Sequence, residues 1–222
     1  MEPRLPPVTF YFDYISPYAY LAWTQIHRCV ERSGRDVEPV PVLFAALLDA
    51  NGQKGPAEIA RKRAYIFKDV IRSAHALGEP IAPPATHPFN PLLALRVTTA
   101  DLRASERRTV IDAVFRAAWA RSIDVTDPRR MTELLDGAGL DGKALVEWAA
   151  SPTAKDQVRA NTAAALEAGA FGVPTMIVDG ELFWGLDSFP HVEIRLRGED
   201  PVDATSLHAW TRVVPSARRP GS

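Results

Sequence analysis

The segment from Phe10 to Trp23 reads "FYFDYISPYAYLAW". Val8 to Tyr14 is an alternating apolar and aromatic run of strand length. Ser16-Pro17 then opens a helix, because proline is accepted in a first turn, where its missing N–H would be unpaired anyway. Ala19, Ala22, Trp23, Ile26 and Val30 fall on one helical face, and Gly34 supplies the stop. A strand therefore runs directly into a helix, with a serine hydroxyl and free backbone N–H groups at the junction.

A second strand follows in "VEPVPVLF", whose prolines favour a sheet edge or a strand start. From Gly55 to Leu77 the period is helical, with Ile66, Val70, Ala74 and Leu77 on one face. Lys62, Tyr65, Asp69 and Arg72, at i, i+3, i+7 and i+10, form a polar stripe beside it. A proline-rich passage, "EPIAPPATHPFNP" (Glu79 to Pro91), reads as an ordered loop because it is short and carries Phe89. Helical patterns resume at Leu92 to Leu102, Glu106 to Arg121, Pro128 to Ala138, Gly142 to Ala150 and Pro152 to Ala168, with Thr126 or Asp127 as a cap before Pro128. Near the end, "VPTMIVDGELFWG" is two short β runs joined by Asp179-Gly180, a type I′ hairpin signal. Asp187 is expected to cap a last helix through about Leu196. The tail after Gly198 is weakly patterned, and its final residues are expected to be disordered.

The order is thus β-α-β, a long helical stretch, then β-β-α. It predicts an α/β fold: one sheet domain in two halves, residues 1–50 and 169–200, interrupted by a helical domain at 51–168 and followed by a tail at 201–222. No internal repeat is visible.

The chain has 222 residues and a formal net charge of −1, which leaves no electrostatic footprint for nucleic acid or an anionic membrane. Cys29 is the single cysteine, so neither an intramolecular disulfide nor a CxxC redox pair can form. A reducing compartment is expected. The start, "MEPRLPPVTF", has no signal-peptide pattern, and no apolar run approaches the roughly 20 residues of a membrane span. A cytoplasmic protein is the expectation. His27, His75, His87, His191 and His208 have no metal-ligand spacing with one another or with Cys29, so no metal is expected.

Ser16 has two readings. As an N-cap its oxygen accepts an N–H one turn on. As a functional group its hydroxyl donates to an anion at the positive end of a helix. No histidine stands ready to deprotonate it, which disfavours a serine nucleophile. Val173-Pro174 leads into a strand, and the sequence alone favours a trans bond; a cis bond would leave the Val173 backbone open to an extended peptide. Asp187, beside Trp184, is either a helix cap or a carboxylate for a ligand ammonium. The polar stripe is either a solvated helix face or one wall of a cleft. The turn "DANGQKGP" places Asn51 and Gln53 just before it, with amides that can meet a ligand.

"FYFDYISPYAYLA", the set Lys62, Tyr65 and Asp69 after the "QKGP" turn, and "GAFGVPTMIVDGELFWGLD" together resemble the 2-hydroxychromene-2-carboxylate isomerases and the kappa-class glutathione transferases. The resemblance spans about Val8 to Leu196. It implies a thioredoxin-like domain of the DsbA type carrying a helical insertion, with Ser16 where oxidoreductases have their first active-site cysteine. It implies glutathione as cofactor: Ser16 on the sulfur, Val173 before a cis Pro174 on the cysteinyl backbone, Trp184, Leu186 and Asp187 at the γ-glutamyl end, Gln53 at the glycyl end. Asn51, Lys62 and Tyr65 are the candidates for an aromatic or conjugated acid substrate. The implied reaction is cis–trans isomerisation by reversible thiolate addition, and a homodimer is the family habit. Relatives usually carry a polar residue at Leu186 and arginine at Ser188, so this chain has fewer side-chain contacts for the γ-glutamyl end. Three rivals stand beside the isomerase: a transferase that consumes the thiol, a disulfide oxidoreductase, which the lone cysteine disfavours, and a non-catalytic thiol-binding protein.

Overall fold

The computed structural model describes residues 5–216. Its sheet has four strands: β1 (Val8–Phe12), β2 (Val37–Pro41), β3 (Thr175–Val178) and β4 (Glu181–Trp184), in the order β2-β1-β3-β4. β1 pairs parallel with β2 and antiparallel with β3, and β3 pairs antiparallel with β4. A parallel pair needs a crossover, and α1 (Pro17–Glu31) supplies it. Asp179 and Gly180 both have positive φ, 50° and 79°, as a type I′ turn requires. Arg35, between α1 and β2, grips Asp179 with two nitrogens at 2.7 and 2.8 Å, tying the crossover to the hairpin.

Both faces of β1 are covered. Val8, Phe10 and Phe12 join the larger apolar cluster with Tyr20, Trp23, Ile26 and Phe115, while Tyr11 packs in a second cluster with Val42, Leu47, Ala165 and Val173. Three buried aromatics of the larger cluster keep their polar tips bonded, as the cost of an unpaired buried donor demands. Tyr14 Oη is 2.7 Å from Thr98 Oγ1, Trp119 donates to the Tyr14 carbonyl at 2.8 Å, and Tyr20 donates to the Pro80 carbonyl at 2.8 Å.

β2 is an edge strand with a particular register. Val8 N donates to Asp36 O and Val42 N to Phe12 O. Even-numbered residues of β2 therefore carry the ladder to β1, and Pro39 and Pro41 fall on the outward positions, where a missing N–H breaks no bond.

The helices between β2 and β3 are α2 (Phe44–Ala50), α3 (Ala60–Leu77), α4 (Leu92–Thr98), α5 (Ala104–Ala120), α6 (Pro128–Gly137), α7 (Gly142–Ala150) and α8 (Pro152–Glu167). α2 corrects the sequence reading, which ran the second strand on to Phe44. The strand ends at Pro41, and the Asp13 carboxylate accepts the first α2 amide, Phe44 N, at 2.9 Å; the cap comes from another segment and leaves no local signal. α3 starts later than its periodicity suggests, because Pro56–Glu58 forms a 3₁₀ turn closed by Gly55 N on Glu58 Oε1 at 2.6 Å. α4 stops at Thr98, not Leu102, because the Arg107 guanidinium takes up the carbonyls of Thr98 and Ala100 at 2.7 and 3.2 Å.

After β4 come a 3₁₀ turn, Leu186–Ser188, then α9 (Phe189–Leu196) and α10 (Ala204–Thr211), the last inside the weakly patterned tail. The disorder expected for the final residues falls partly on 217–222, which lie outside the described residues. Among the described residues no helix is long and apolar enough to cross a membrane, and no cluster of three His, Cys, Asp or Glu forms a metal site.

Candidate thiol-binding site

The end of β1 turns sharply into α1. Ser16 N donates to Asp13 O at 3.1 Å, closing a β-turn. Ser16 has extended backbone, φ −93° and ψ 116°, and its Oγ accepts Ala19 N at 3.2 Å. The cap reading is therefore observed, and it does not exclude the other one. Capping uses a lone pair of the oxygen, and the hydroxyl hydrogen remains to be donated.

Continuing the β1–β3 register, in which Tyr11 faces Thr175, places Pro174 beside Phe12 and Val173 beside Asp13. The Val173–Pro174 bond is cis, against the trans preference read from the sequence alone. Gly185 N donates to Pro174 O at 3.0 Å, which brings the Trp184–Asp187 segment to the same end of the sheet. Trp184 is half exposed and packs on Phe171, with ring centroids 5.1 Å apart. The lack of a side chain at Gly172 permits this: a Cβ there would lie 2.5 Å from Trp184 Nε1.

Asp187 is not the cap of α9. Ser188 occupies that position, and no side chain caps the helix. The Asp187 carboxylate lies exposed in the 3₁₀ turn. The Ser188 hydroxyl donates instead to Gly185 O at 2.8 Å, fixing the turn that presents Asp187.

α3 forms the next wall. The Tyr18 hydroxyl donates to Asp69 Oδ2 at 2.7 Å. Burial first, then the Asp69 bond and the neighbouring Asp69, Tyr65 and Asp187 charges, push the Tyr18 hydroxyl far above its ordinary pKa, so it stays a neutral donor. This convergence joins the first turn of α1, the polar stripe of α3 and the Asp187 turn. Tyr18 was not singled out by sequence reasoning; its position two residues after Ser16, inside the same first turn, was the available signal. Lys62 and Tyr65 are exposed on α3. The proline-rich loop braces the Ser16 turn from behind: His87 Nε2 lies 3.1 Å from Ile15 O, and burial lowers its pKa, so the ring is neutral near pH 7.

Gln53 and Asn51 lie exposed in the turn after α2. Gln53 N is bonded to Leu48 O at 2.9 Å, while its side chain points free of that bond. Asn51 Nδ2 folds back on Leu47 O at 2.8 Å, so its amide nitrogen serves its own helix. A cleft of about 1310 Å³ between β2 and α1, α5, α7 and α8, lined by Trp23, His27, Arg107, Trp148 and Asn161 among others, contains none of the predicted site residues. Cys29 is partly buried on α1, and burial with the nearby Glu193 raises its thiol to about 11, so it is not a reactive thiolate near neutral pH.

The chain matches the DSBA-like thioredoxin domain over residues 7–197. It is 30% identical over 190 residues to a 2-hydroxychromene-2-carboxylate isomerase of Sphingobium xenophagum, covering 84% of this chain and 95% of that one. It is 26% identical over 198 residues to glutathione S-transferase kappa 1 of Homo sapiens, covering 82% and 85%. A solved structure of 2-hydroxychromene-2-carboxylate isomerase superposes with a TM-score of 0.80 at 23% identity, covering 93% of this chain and 99% of that chain, and so shares the fold. The chain belongs to the DsbA-like thioredoxin family, in the group formed by the 2-hydroxychromene-2-carboxylate isomerases and the kappa-class glutathione transferases.

Proposed function

We propose that the protein is a glutathione-dependent isomerase that interconverts cis and trans forms of a conjugated aromatic acid, as a cytoplasmic enzyme of aromatic catabolism. The observation that carries this reading is the Ser16 hydroxyl, seated at the start of a 15-residue helix with its oxygen accepting Ala19 N and its hydrogen left to donate. A donor at the positive end of a helix favours the thiolate over the thiol.

The residues present fit glutathione. Ser16 donates to its sulfur. The Val173 backbone, brought beside Asp13 by the continued β1–β3 register, offers strand-like pairing to the cysteinyl unit. Asp187, exposed beside Leu186 and Trp184, offers a carboxylate to the α-ammonium group. Gln53 reaches the glycyl end. When bound, glutathione supplies a nucleophilic sulfur that adds reversibly to a conjugated double bond and so permits rotation about it. Lys62 meets the carboxylate of the acid by charge pairing, Tyr65 by hydrogen bonding, and Asn51 through its remaining carbonyl oxygen. In the same reading residues 51–168 act as a unit that closes one side of the thiol site, and the protein works as a homodimer.

The test is product analysis with glutathione and the ring-opened hydroxychromene acid. An isomerase returns the trans acid and leaves the thiol concentration unchanged. A second reading, conjugation, is favoured by the likeness to the human kappa-class transferase. Stoichiometric loss of the thiol into a stable adduct would decide for it.

A further inference from the structure

Asp13 directly follows β1 and is completely buried, the one carboxylate or cationic side chain that is buried among the described residues. Among the described residues no cation contributes to its environment. Its two oxygens go to two different segments: Oδ1 accepts Ile15 N at 3.1 Å within the Ser16 turn, and Oδ2 accepts Phe44 N at 2.9 Å at the start of α2. Leu43, the residue before α2, offers no cap of its own, so Asp13 performs that task from across the fold. α2 leads directly into the turn that carries Asn51 and Gln53. One carboxyl thus clamps the two segments that, on the reading above, hold the sulfur and the glycyl end of the tripeptide.

We propose that Asp13 is a positioning residue for glutathione: its carboxyl fastens the Ser16 turn to the α2 arm that carries Gln53, and its charge opposes ionisation of a thiol held at Ser16. The proposal rests on the glutathione reading. Two demands on the carboxyl conflict. The ionised form is the better acceptor for both amides. The same negative charge lies one β-turn from Ser16, where it disfavours a second anion. The neutral form relaxes the clamp and admits the thiolate, whose released proton goes to solvent.

The surroundings leave Asp13 free to make this exchange. Tyr14, adjacent in the chain, is held protonated by burial, and His87, on the Ile15 carbonyl, is kept neutral by burial. α2 presents Leu43 and Phe44, and Thr162 of α8 caps Leu43 N at 3.0 Å; none of these titrates. Burial, offset in part by the two amide bonds, raises the Asp13 carboxyl to about 7, so both forms are populated at neutral pH.

The experiment titrates glutathione into the wild type, Asp13→Asn and Phe44→Pro from about pH 5 to about pH 9, reading affinity by calorimetry and thiolate by ultraviolet absorbance. Asp13→Asn removes the charge, and the bound-thiol pKa is expected to fall by about one unit, with weaker overall affinity. Phe44→Pro keeps the carboxyl, deletes one donor, and places proline at a first helical position that tolerates it. It is expected to weaken binding several-fold while shifting the thiol less than Asp13→Asn does. Asp13→Asn with wild-type affinity and an unchanged thiol titration overturns the proposal and leaves Asp13 a structural cap. Should Asp13→Asn fail to fold, Phe44→Pro with undiminished affinity overturns it as well. A wild type that binds no glutathione at any pH has a different signature, since it overturns the cofactor reading itself and the proposal with it.

Discussion

The Tyr18 hydroxyl donates to Asp69 Oδ2 across 2.7 Å, and this bond ties the first turn of α1 to the middle of α3. α3 needs such a tie. Of its 18 residues only Val70 and Ala74 are fully buried, so apolar packing holds it weakly. Tyr18→Phe is expected to cost about 1 kcal/mol, the net worth of one hydrogen bond together with the carboxylate it leaves unpaired. Hydrogen exchange along residues 60–77 should speed up more than exchange in β1. Uniform protection in the variant would show that α3 is held by other contacts.

Ser16→Ala removes both tasks of the hydroxyl. Loss of the cap is expected to lower stability by about 1 kcal/mol in denaturant titration. Loss of the donor is expected to raise the pKa of the bound glutathione thiol and lower the isomerisation rate on the order of 10²-fold. A stability loss without any change in rate would leave Ser16 as a cap alone.

Asp13 also leaves a mark on the pH dependence of stability. Its carboxyl is raised from 3.8 to about 7 in the folded chain, chiefly by burial. The folded state therefore binds the proton more tightly than the unfolded state does. This contribution is at its most favourable below the unfolded value, declines as pH rises between about 4 and 7, and is fully lost above the folded value. His27 acts in the opposite sense over the same range, since burial lowers it to about 4. The clean measurement is thus the difference between wild type and Asp13→Asn in urea midpoint, taken pH by pH. That difference is expected to move against the wild type from acid to neutral pH; a flat difference would refute the assignment.

Arg35 and Asp179 offer a test of how the hairpin is anchored. Asp179 has φ 50°, a conformation that asparagine also tolerates. Asp179→Asn therefore removes the charge and keeps the turn. Since the Asp179 side chain is partly open to solvent, the cost is expected to be about 1 kcal/mol and to shrink in high salt. Arg35 holds the Asp179 carboxyl below its usual range, so this contribution is present at neutral pH and is lost as acid protonates the pair. An equal loss at low and high salt would assign the effect to the turn.

Several local features were legible in the sequence because their chemistry is local in the structure too. Ser16-Pro17, Asp179-Gly180 and the prolines of β2 each announce their geometry within four residues, and each is found as read. The capping of α2 by Asp13 escaped because its partners are 31 residues apart, and the run from Val42 to Phe44 is apolar enough to pass for the end of a strand. Of the two readings of Asp187, the cap reading fails for the converse reason. It sits where a cap belongs by sequence, yet an intervening 3₁₀ turn hands that position to Ser188. Lys62, Tyr65 and Asp69 share a stripe by periodicity, but only the fold shows Asp69 bound to Tyr18 while Lys62 and Tyr65 remain exposed.

The prolines of β2 bear on how this sheet can grow. An incoming strand needs donors as well as acceptors along the row it joins. On the outward side of β2, Pro39 and Pro41 offer carbonyls only, and Asn161 Nδ2 already takes the Pro41 carbonyl at 3.1 Å. The outward row of β2 is thus closed to continuous backbone pairing, whether by another molecule of this protein or by a fibril nucleus. Any assembly that lengthens the sheet must start from β4, a four-residue strand that ends on the exposed Trp184, so a proline placed on the outward side of that strand should abolish sheet-to-sheet association while an identical change at β2 would leave it unchanged.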